Sequence, residues 1–316
     1  MARTETKTDA QQEIVDRIIV ALEAGPQEWK RTWKTLGISG MPRNGSSKRG
    51  YNGLNIWLLA LRGYSDARWF TYKQAAALDA QVRKGEKGTK VFFWQFLPVW
   101  EDASGKQVRK PTKAQIKSGA VKKVREIPMF RVYTVFNAMQ IDGLAEVTVP
   151  DVTPGDKYAD AAEVLDALGA EVIHGGDEAS YSPSLDCIRL PLPGQFDTIE
   201  DYWATRAHET THWTGHKSRC NRDLKLNRFG DEKYAMEELV AELGSAMLCG
   251  LLGIDGEMQH PSYIANWLKV LRGDKYAVFT AATAAQKAVN FIMEGGNAAT
   301  VTPEESEAGS EMAQAA

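Results

Sequence analysis

The residues best equipped for chemistry lie in one short run, His208-Glu209-Thr210-Thr211-His212. Histidines four apart on a helix share one face, about 6 Å apart along the axis, which is the reach two imidazoles need to hold one zinc ion. Glu209 falls beside that face. There its carboxylate can hold and deprotonate a water at an open fourth position instead of ligating the metal. A third ligand is needed, and His216 is a poor choice: if still helical it lies about 6 Å beyond His212 along the axis and points past the ion. A pattern with a third histidine six residues after the second would need one at position 218, which is Ser218.

The run Tyr234-Ala-Met-Glu-Glu-Leu-Val-Ala-Glu-Leu-Gly-Ser-Ala is a better source. Glu238 and Glu242 share one helical face, next to Ala241, Gly244 and Ser245, whose small side chains let this helix pack tightly on the one bearing the histidines. We read Glu238 as the ligand and Glu242 as the acceptor for a ligand imidazole N–H, because metal-bound histidines are oriented by carboxylates. Spacing alone leaves an exchange of these two roles open, and it points Glu237 elsewhere. Two histidines and a glutamate predict one Zn2+ per chain, with another divalent metal as the alternative. The chemistry to expect is attack of activated water on a carbonyl, most often a peptide bond, with Glu209 as general base and then acid. His216, Tyr234 and Tyr263 are candidate oxyanion donors. The strand Cys187 to Leu190 could align an extended peptide by backbone pairing, although a plain core strand is the simpler role.

A second group suits nucleic acid. Basic and aromatic residues alternate around Trp29, Trp33, Arg43, Lys48, Arg49, Tyr51, Trp69, Tyr72, Lys84, Lys87 and Lys90. Such a surface fits single-stranded DNA, whose phosphates meet cations while unstacked bases lie on aromatic faces. Trp57, Phe92 and Trp94 sit in apolar surroundings and read as core; Trp29, Trp33, Tyr51, Trp69 and Tyr72 read as stacking surfaces. No groove-fitting element for duplex DNA stands out.

These groups need elements to position them. The chain has 316 residues with 43% apolar types, enough for about two domains. Residues 1–150 carry 25 Lys/Arg against 14 Asp/Glu, and residues 151–316 carry 13 against 27, so two halves of opposite sign suggest two jobs. Three widely spaced cysteines without a CxxC exclude a disulfide framework and a cysteine zinc site. An N-terminus carrying Glu5, Asp9, Glu13 and Asp16 is unlike a secretory signal, and the longest apolar run is too short to span a bilayer, so a cytoplasmic protein without membrane contact is expected. Periodicity predicts helices over 9–24, 54–61, 72–83, 158–168, from 199, and over 234–252, 263–271 and 280–293. Strands are expected at 90–96, 130–137, 171–174, 179–181 and 187–190, with a basic loop between 105 and 123. The pattern is α+β in two domains: a small DNA-binding domain over 1–145 and a metallopeptidase domain over 155–295. A linker is expected near 147–154, and a disordered acidic tail over 296–316.

With these residues in view, the chain resembles antirestriction proteins of the ArdC type, which conjugative plasmids and phages encode. The resemblance runs from the first helix to about Gly295. It is carried by Pro42-Arg-Asn-Gly, Gly50-Tyr-Asn-Gly-Leu-Asn55, Arg68-Trp-Phe-Thr-Tyr-Lys, Arg83-Lys-Gly-Glu-Lys-Gly-Thr-Lys and Val135-Phe-Asn137 with Gln140 and Gly143. More specific are His208-Glu-Thr-Thr-His-Trp-Thr-Gly-His216, Asn227-Arg-Phe-Gly-Asp, Tyr234-Ala-Met-Glu-Glu-Leu-Val-Ala-Glu and Tyr263-Ile-Ala-Asn-Trp-Leu. The shorter N-terminal marks also resemble the start of certain plasmid DNA primases. The resemblance implies a single-stranded-DNA-binding domain joined to a zincin-like metallopeptidase domain, with His208, His212 and a glutamate of the later helix as ligands and Glu209 catalytic. Asp79-Ala80 departs from it where glycines are expected, and Cys220 where leucine is expected. The leading reading is a protein that coats incoming single-stranded plasmid DNA during conjugation and carries a zinc peptidase with a possible protein substrate. The alternatives are a regulatory metallopeptidase that cleaves a repressor-like protein, and a DNA-binding module whose zincin domain has little turnover.

Overall fold

Ile14, Ile18 and Leu22 repeat at four-residue intervals, and in the computed structural model, which describes residues 10–24, 41–145, 158–222, 232–255 and 264–296, they form the buried stripe of α1 (Ala10–Glu23). The basic half continues with β1 (Arg43–Asn44), α2 (Leu54–Ala60), β2 (Arg68–Phe70), α3 (Tyr72–Ala76), β3 (Gln81–Val82), β4 (Thr89–Asp102), β5 (Gln107–Val108), α4 (Lys113–Lys117), β6 (Val121–Asn137) and β7 (Ile141–Asp142). One sheet has the order β1-β2-β6-β4-β5, with β1 and β2 parallel and the other pairs antiparallel; β3 and β7 form a second, two-stranded sheet.

Several family marks are structural supports. A Cβ on Gly45 would lie 1.9 Å from the Phe70 ring, so the chain can pass only as glycine. The Asn55 side chain stands in for a strand partner: its Nδ2 donates to Phe92 O at 2.7 Å and its Oδ1 accepts from Phe92 N–H at 3.0 Å. Thr71 and Gln74 cap α3 reciprocally.

The helix predicted over 72–83 stops at Ala76. The Ala80 N–H bonds back to Ala75 O, and Asp79 takes the left-handed conformation with φ 55°, a helix-ending turn that normally uses glycine. The chain then joins β3, so the departure at Asp79 is a tolerated substitution at a glycine-favouring position. The hairpin is longer than predicted. β4 and β6 stay paired out to Asp102 and Val121, and the basic loop between them contains β5 and α4. In its outer half β6 is exposed on both faces from Lys122 to Pro128, so no apolar alternation marks that strand in sequence.

The acidic half contains α5 (Ala159–Asp166), β8 (Glu171–His174), β9 (Ser180–Ser182), β10 (Cys187–Leu190), α6 (Ile199–Thr214), α7 (Glu232–Leu252), α8 (Ile264–Gly273) and α9 (Ala277–Met293). The predicted helices fall here with shifts of a few residues. In the sheet order β8-β10-β9 the strand Cys187–Leu190 is central and paired on both edges. The expectation that it could align a peptide is therefore corrected: no edge is free to receive one. Cys220 packs, partly buried, against the apolar cluster that contains Tyr181, Ile188 and Trp213, a setting that suits its replacement of leucine. No helix among the described residues is long and apolar enough to cross a membrane. The linker at 147–154 and nearly all of the acidic tail lie outside the described residues.

One apolar core runs through both halves, joining α1, α2 and β4 to α5 through α9. Phe92 meets Phe279 edge-on with ring centroids 5.2 Å apart, and the Gly53 N–H donates to Gln286 Oε1 at 3.0 Å. Asp79→Gly is expected to keep or raise stability by up to about 1 kcal/mol, and Asp79→Val to lower it by about 1–2 kcal/mol. Thermal unfolding of the two variants checks this, and Asp79→Val melting with the wild type would contradict the assignment.

Candidate metal centre

α6 begins on Thr198, whose hydroxyl accepts the Asp201 N–H at 3.1 Å, and Glu200 and Asp201 place negative charge in the first turn, as a helix start favours. Its C-terminal end is pinned by Arg219, which stacks over Trp213 at 3.8 Å and pairs with Asp186 on the β9–β10 connection. Between these anchors, Ala204, Ala207, Thr211 and Thr214 present small buried side chains. The facing residue on α7 is Gly244, where a Cβ would meet Thr211 Cγ2 at 2.6 Å. This contact sets how near the two helices come.

The near approach gathers the metal-ligating residues. One side-chain atom from each of His208, His212 and Glu238 lies within 4.8 Å of the others. The two Nε2 atoms face each other at 3.1 Å, and each lies 3.6 Å from a Glu238 carboxylate oxygen. Two nitrogens bound at about 2.0–2.1 Å to one tetrahedral ion stand about 3.3 Å apart, so the donor set fits a divalent cation without rearrangement.

The outer imidazole nitrogens meet carboxylates. His212 Nδ1 lies 3.1 Å from Glu237 Oε1, and Glu237 is gripped by Arg222 through Nε at 2.9 Å and Nη2 at 2.8 Å. Arg222 also donates to the Thr214 hydroxyl and to Thr211 O, tying the clamp back to α6. Glu237 thus corrects the expectation that it points elsewhere: it adjoins Glu238 and takes the other side of the His212 ring. Glu242, expected to orient an imidazole, lies with Oε2 3.8 Å from His208 Nδ1. Glu209 is buried at 6% exposure.

Burial sets these titrations against their partners. Burial lowers the His208 imidazole, which stays neutral and ready to ligate. Burial would also lower His212, but its hydrogen bonds and charge contacts with Glu237 and Glu238 win and push it up to about 10. Glu238 is shifted the opposite way: burial raises it, and the two imidazoles hold it well below the usual carboxylate range.

Of the candidate oxyanion donors, His216 turns its Nδ1 to the Ser218 hydroxyl at 2.8 Å, Tyr234 lies half-buried on α7, and Tyr263 lies outside the described residues. Among the DNA candidates, Arg43, Lys48, Arg49, Lys84 and Lys87 are exposed, and Tyr72 is 53% exposed. Lys90 is half-buried and paired with Glu13. Tyr51 and Trp69 are buried at 4% and 2%, which corrects their reading as stacking surfaces. Trp29 and Trp33 lie outside the described residues. Trp57 and Phe92 are core as expected, and Trp94 is half-buried against Phe130.

Comparison with known proteins gives two family matches: residues 8–136 match the N-terminal domain of anti-restriction factor ArdC, and residues 159–284 match a zincin-like metallopeptidase. The chain is 37% identical to the uncharacterized protein y4eC of Sinorhizobium fredii (strain NBRC 101917 / NGR234), covering 91% of this chain and 92% of that one. It is 40% identical to DNA primase TraC of Escherichia coli over 92% of its length, but spans only 27% of that protein, and 20% of a second TraC. The metal-free crystal structure of the antirestriction ArdC protein from plasmid R388 superposes with a TM-score of 0.71 at 37% identity, covering 91% of this chain and 98% of that one. An Mn(II)-bound structure of that protein gives a TM-score of 0.69, covering 93% and 100%.

Two outcomes follow from the geometry. Glu237→Gln leaves the ligands in place but weakens the hold on His212, so metal affinity should fall about 10–100-fold by competition with a chelating dye, and an unchanged affinity would refute the clamp. Metal-free His212 holds its proton up to about pH 10. Binding must release that proton, so affinity should rise by about tenfold per pH unit between about pH 7 and 9, and a flat profile would contradict the assignment.

Proposed function

Because this chain belongs to the ArdC antirestriction family, we propose that it shields single-stranded DNA with its basic half and hydrolyses peptide bonds at a zinc centre on α6 and α7. The observation that carries the peptidase reading is the convergence of His208, His212 and Glu238 within 4.8 Å. His208 and His212 would hold the ion through Nε2 and Glu238 through its carboxylate, with manganese as the alternative suggested by the relative's Mn(II)-bound structure. When bound, the ion supplies Lewis-acid polarisation of the carbonyl and acidifies a water.

The protein's own groups do the rest. Glu237, clamped by Arg222, fixes the His212 ring, and Glu242 faces Nδ1 of His208. The Glu209 carboxylate takes the proton of the attacking water as its oxygen bonds to the carbonyl carbon. It then passes that proton to the amide nitrogen as the C–N bond breaks.

In the basic half, Arg43, Lys48, Arg49, Lys84, Lys87 and Lys90 meet phosphates, while Tyr72, Trp29 and Trp33 stack bases. Support comes from the excess of 25 Lys/Arg over 14 Asp/Glu in residues 1–150 and from the exposure of most of these cations. Coating of incoming strands during conjugation would keep them from host nucleases.

Glu209→Ala in the full chain is expected to lower cleavage of an unfolded protein substrate by about 10²–10⁴-fold while leaving affinity for an oligothymidine unchanged. No cleavage by the metal-loaded wild type, with or without single-stranded DNA, would defeat the peptidase reading. No oligothymidine binding would defeat the DNA reading.

A further inference from the structure

The outer half of the β4–β6 hairpin takes no part in the functions above. β2 covers β6 only at Phe136 and Asn137, and β5 covers β4 only at Trp100 and Glu101, so between these points the hairpin is a two-stranded ribbon. Every residue from Lys122 to Pro128 is exposed. Residues 103–125, which turn the ribbon's end, hold eight Lys/Arg and no Asp/Glu. That is most of the excess charge of the whole basic half. Among the described residues, Lys123 is the one of these eight in an ion pair, with Glu126 at 2.6 Å. A bulge at Val99/Trp100 interrupts the ladder near this end.

We propose that this ribbon is an arm that grips double-stranded DNA. Eight cations without an intervening acid form a surface complementary to a polyanion. Residues 103–125 contain no Phe, Trp or Tyr, so the basic turn itself offers no ring on which an unpaired base could stack, the means by which single strands are held; the nearest rings, Phe96 and half-buried Trp100, lie on β4. A two-stranded β-ribbon is also one of the two shapes the major groove admits. Seven residues from Phe96 to Asp102 reach on the order of 24 Å, enough to lie along that groove. The ribbon is thus a groove-fitting element, of the kind that the sequence did not reveal. The arm requires neither the peptidase nor the single-strand site.

The test uses the full chain and the variant Lys113→Gln/Lys117→Gln/Lys122→Gln/Arg125→Gln. Fluorescence anisotropy with a labelled 20-base-pair duplex and a 20-residue oligothymidine, each at several KCl concentrations, reads both sites. The wild type should bind the duplex. The variant should lose tenfold or more of that affinity at about 0.1 M salt, with a salt slope shallower by about 3–4, while oligothymidine binding stays within about threefold. If the variant unfolds early, Lys110→Gln/Lys117→Gln, two lysines outside the β-ladder, gives the same test with a slope change of about 2. Absent duplex binding by the wild type, an unchanged duplex affinity, or equal losses on both DNAs would overturn the arm. So would salt-sensitive self-association as the one property the substitutions alter. Duplex binding that depends on the arm beside absent oligothymidine binding would keep the arm and remove the single-strand reading instead.

Discussion

The contact between Gly244 on α7 and Thr211 on α6 is the constraint on which the candidate centre rests. With any side chain at 244 the helices would part, and the triangle of His208, His212 and Glu238 would open with them. The same closeness buries Glu237, Glu238 and Glu242 beside two imidazoles. Carboxylates removed from water need compensation. Arg222 supplies it for Glu237, and in the inner layer the two imidazoles, each 3.6 Å from a Glu238 oxygen, supply it in the place where a divalent cation would.

How much of this was legible follows from which signals are local. The histidine pair and Glu238 could be read from spacing because helical periodicity fixes which residues share a face. Glu237 was missed because its role depends on where α7 crosses α6: with Glu238 facing the Nε2 atoms, its neighbour reaches round to Nδ1 of His212. Arg222, ten residues beyond His212, was the available signal, but it acts through a turn whose path periodicity does not set.

In the basic half the misreading has a different cause. Alternation of cations with aromatics suits a stacking surface, but a strand with one buried face shows the same alternation. Arg68 and Trp69 are such a case: the arginine, its side chain 12% exposed, is held by Asp66, and the indole lies in the core. The family marks around Asn44, Gly45, Asn55 and Gln74 likewise serve turns, caps and strand contacts. The outer part of β6 escaped notice because a strand exposed on both faces, as it is from Lys122 to Pro128, has no apolar period at all. The boundary near residue 150 separates two charge regimes, but not two cores: α9 packs on both α7 and α2, so the metal-bearing helices and the base of the ribbon rest on one shared element.

The most direct measurement is anomalous diffraction from crystals of the intact chain soaked in zinc and, separately, in manganese. One peak bonded to Nε2 of His208, Nε2 of His212 and the Glu238 carboxylate is the predicted result, with Glu237 still against Nδ1 of His212. A peak held by other side chains, or ordered crystals showing none between α6 and α7, would contradict the account.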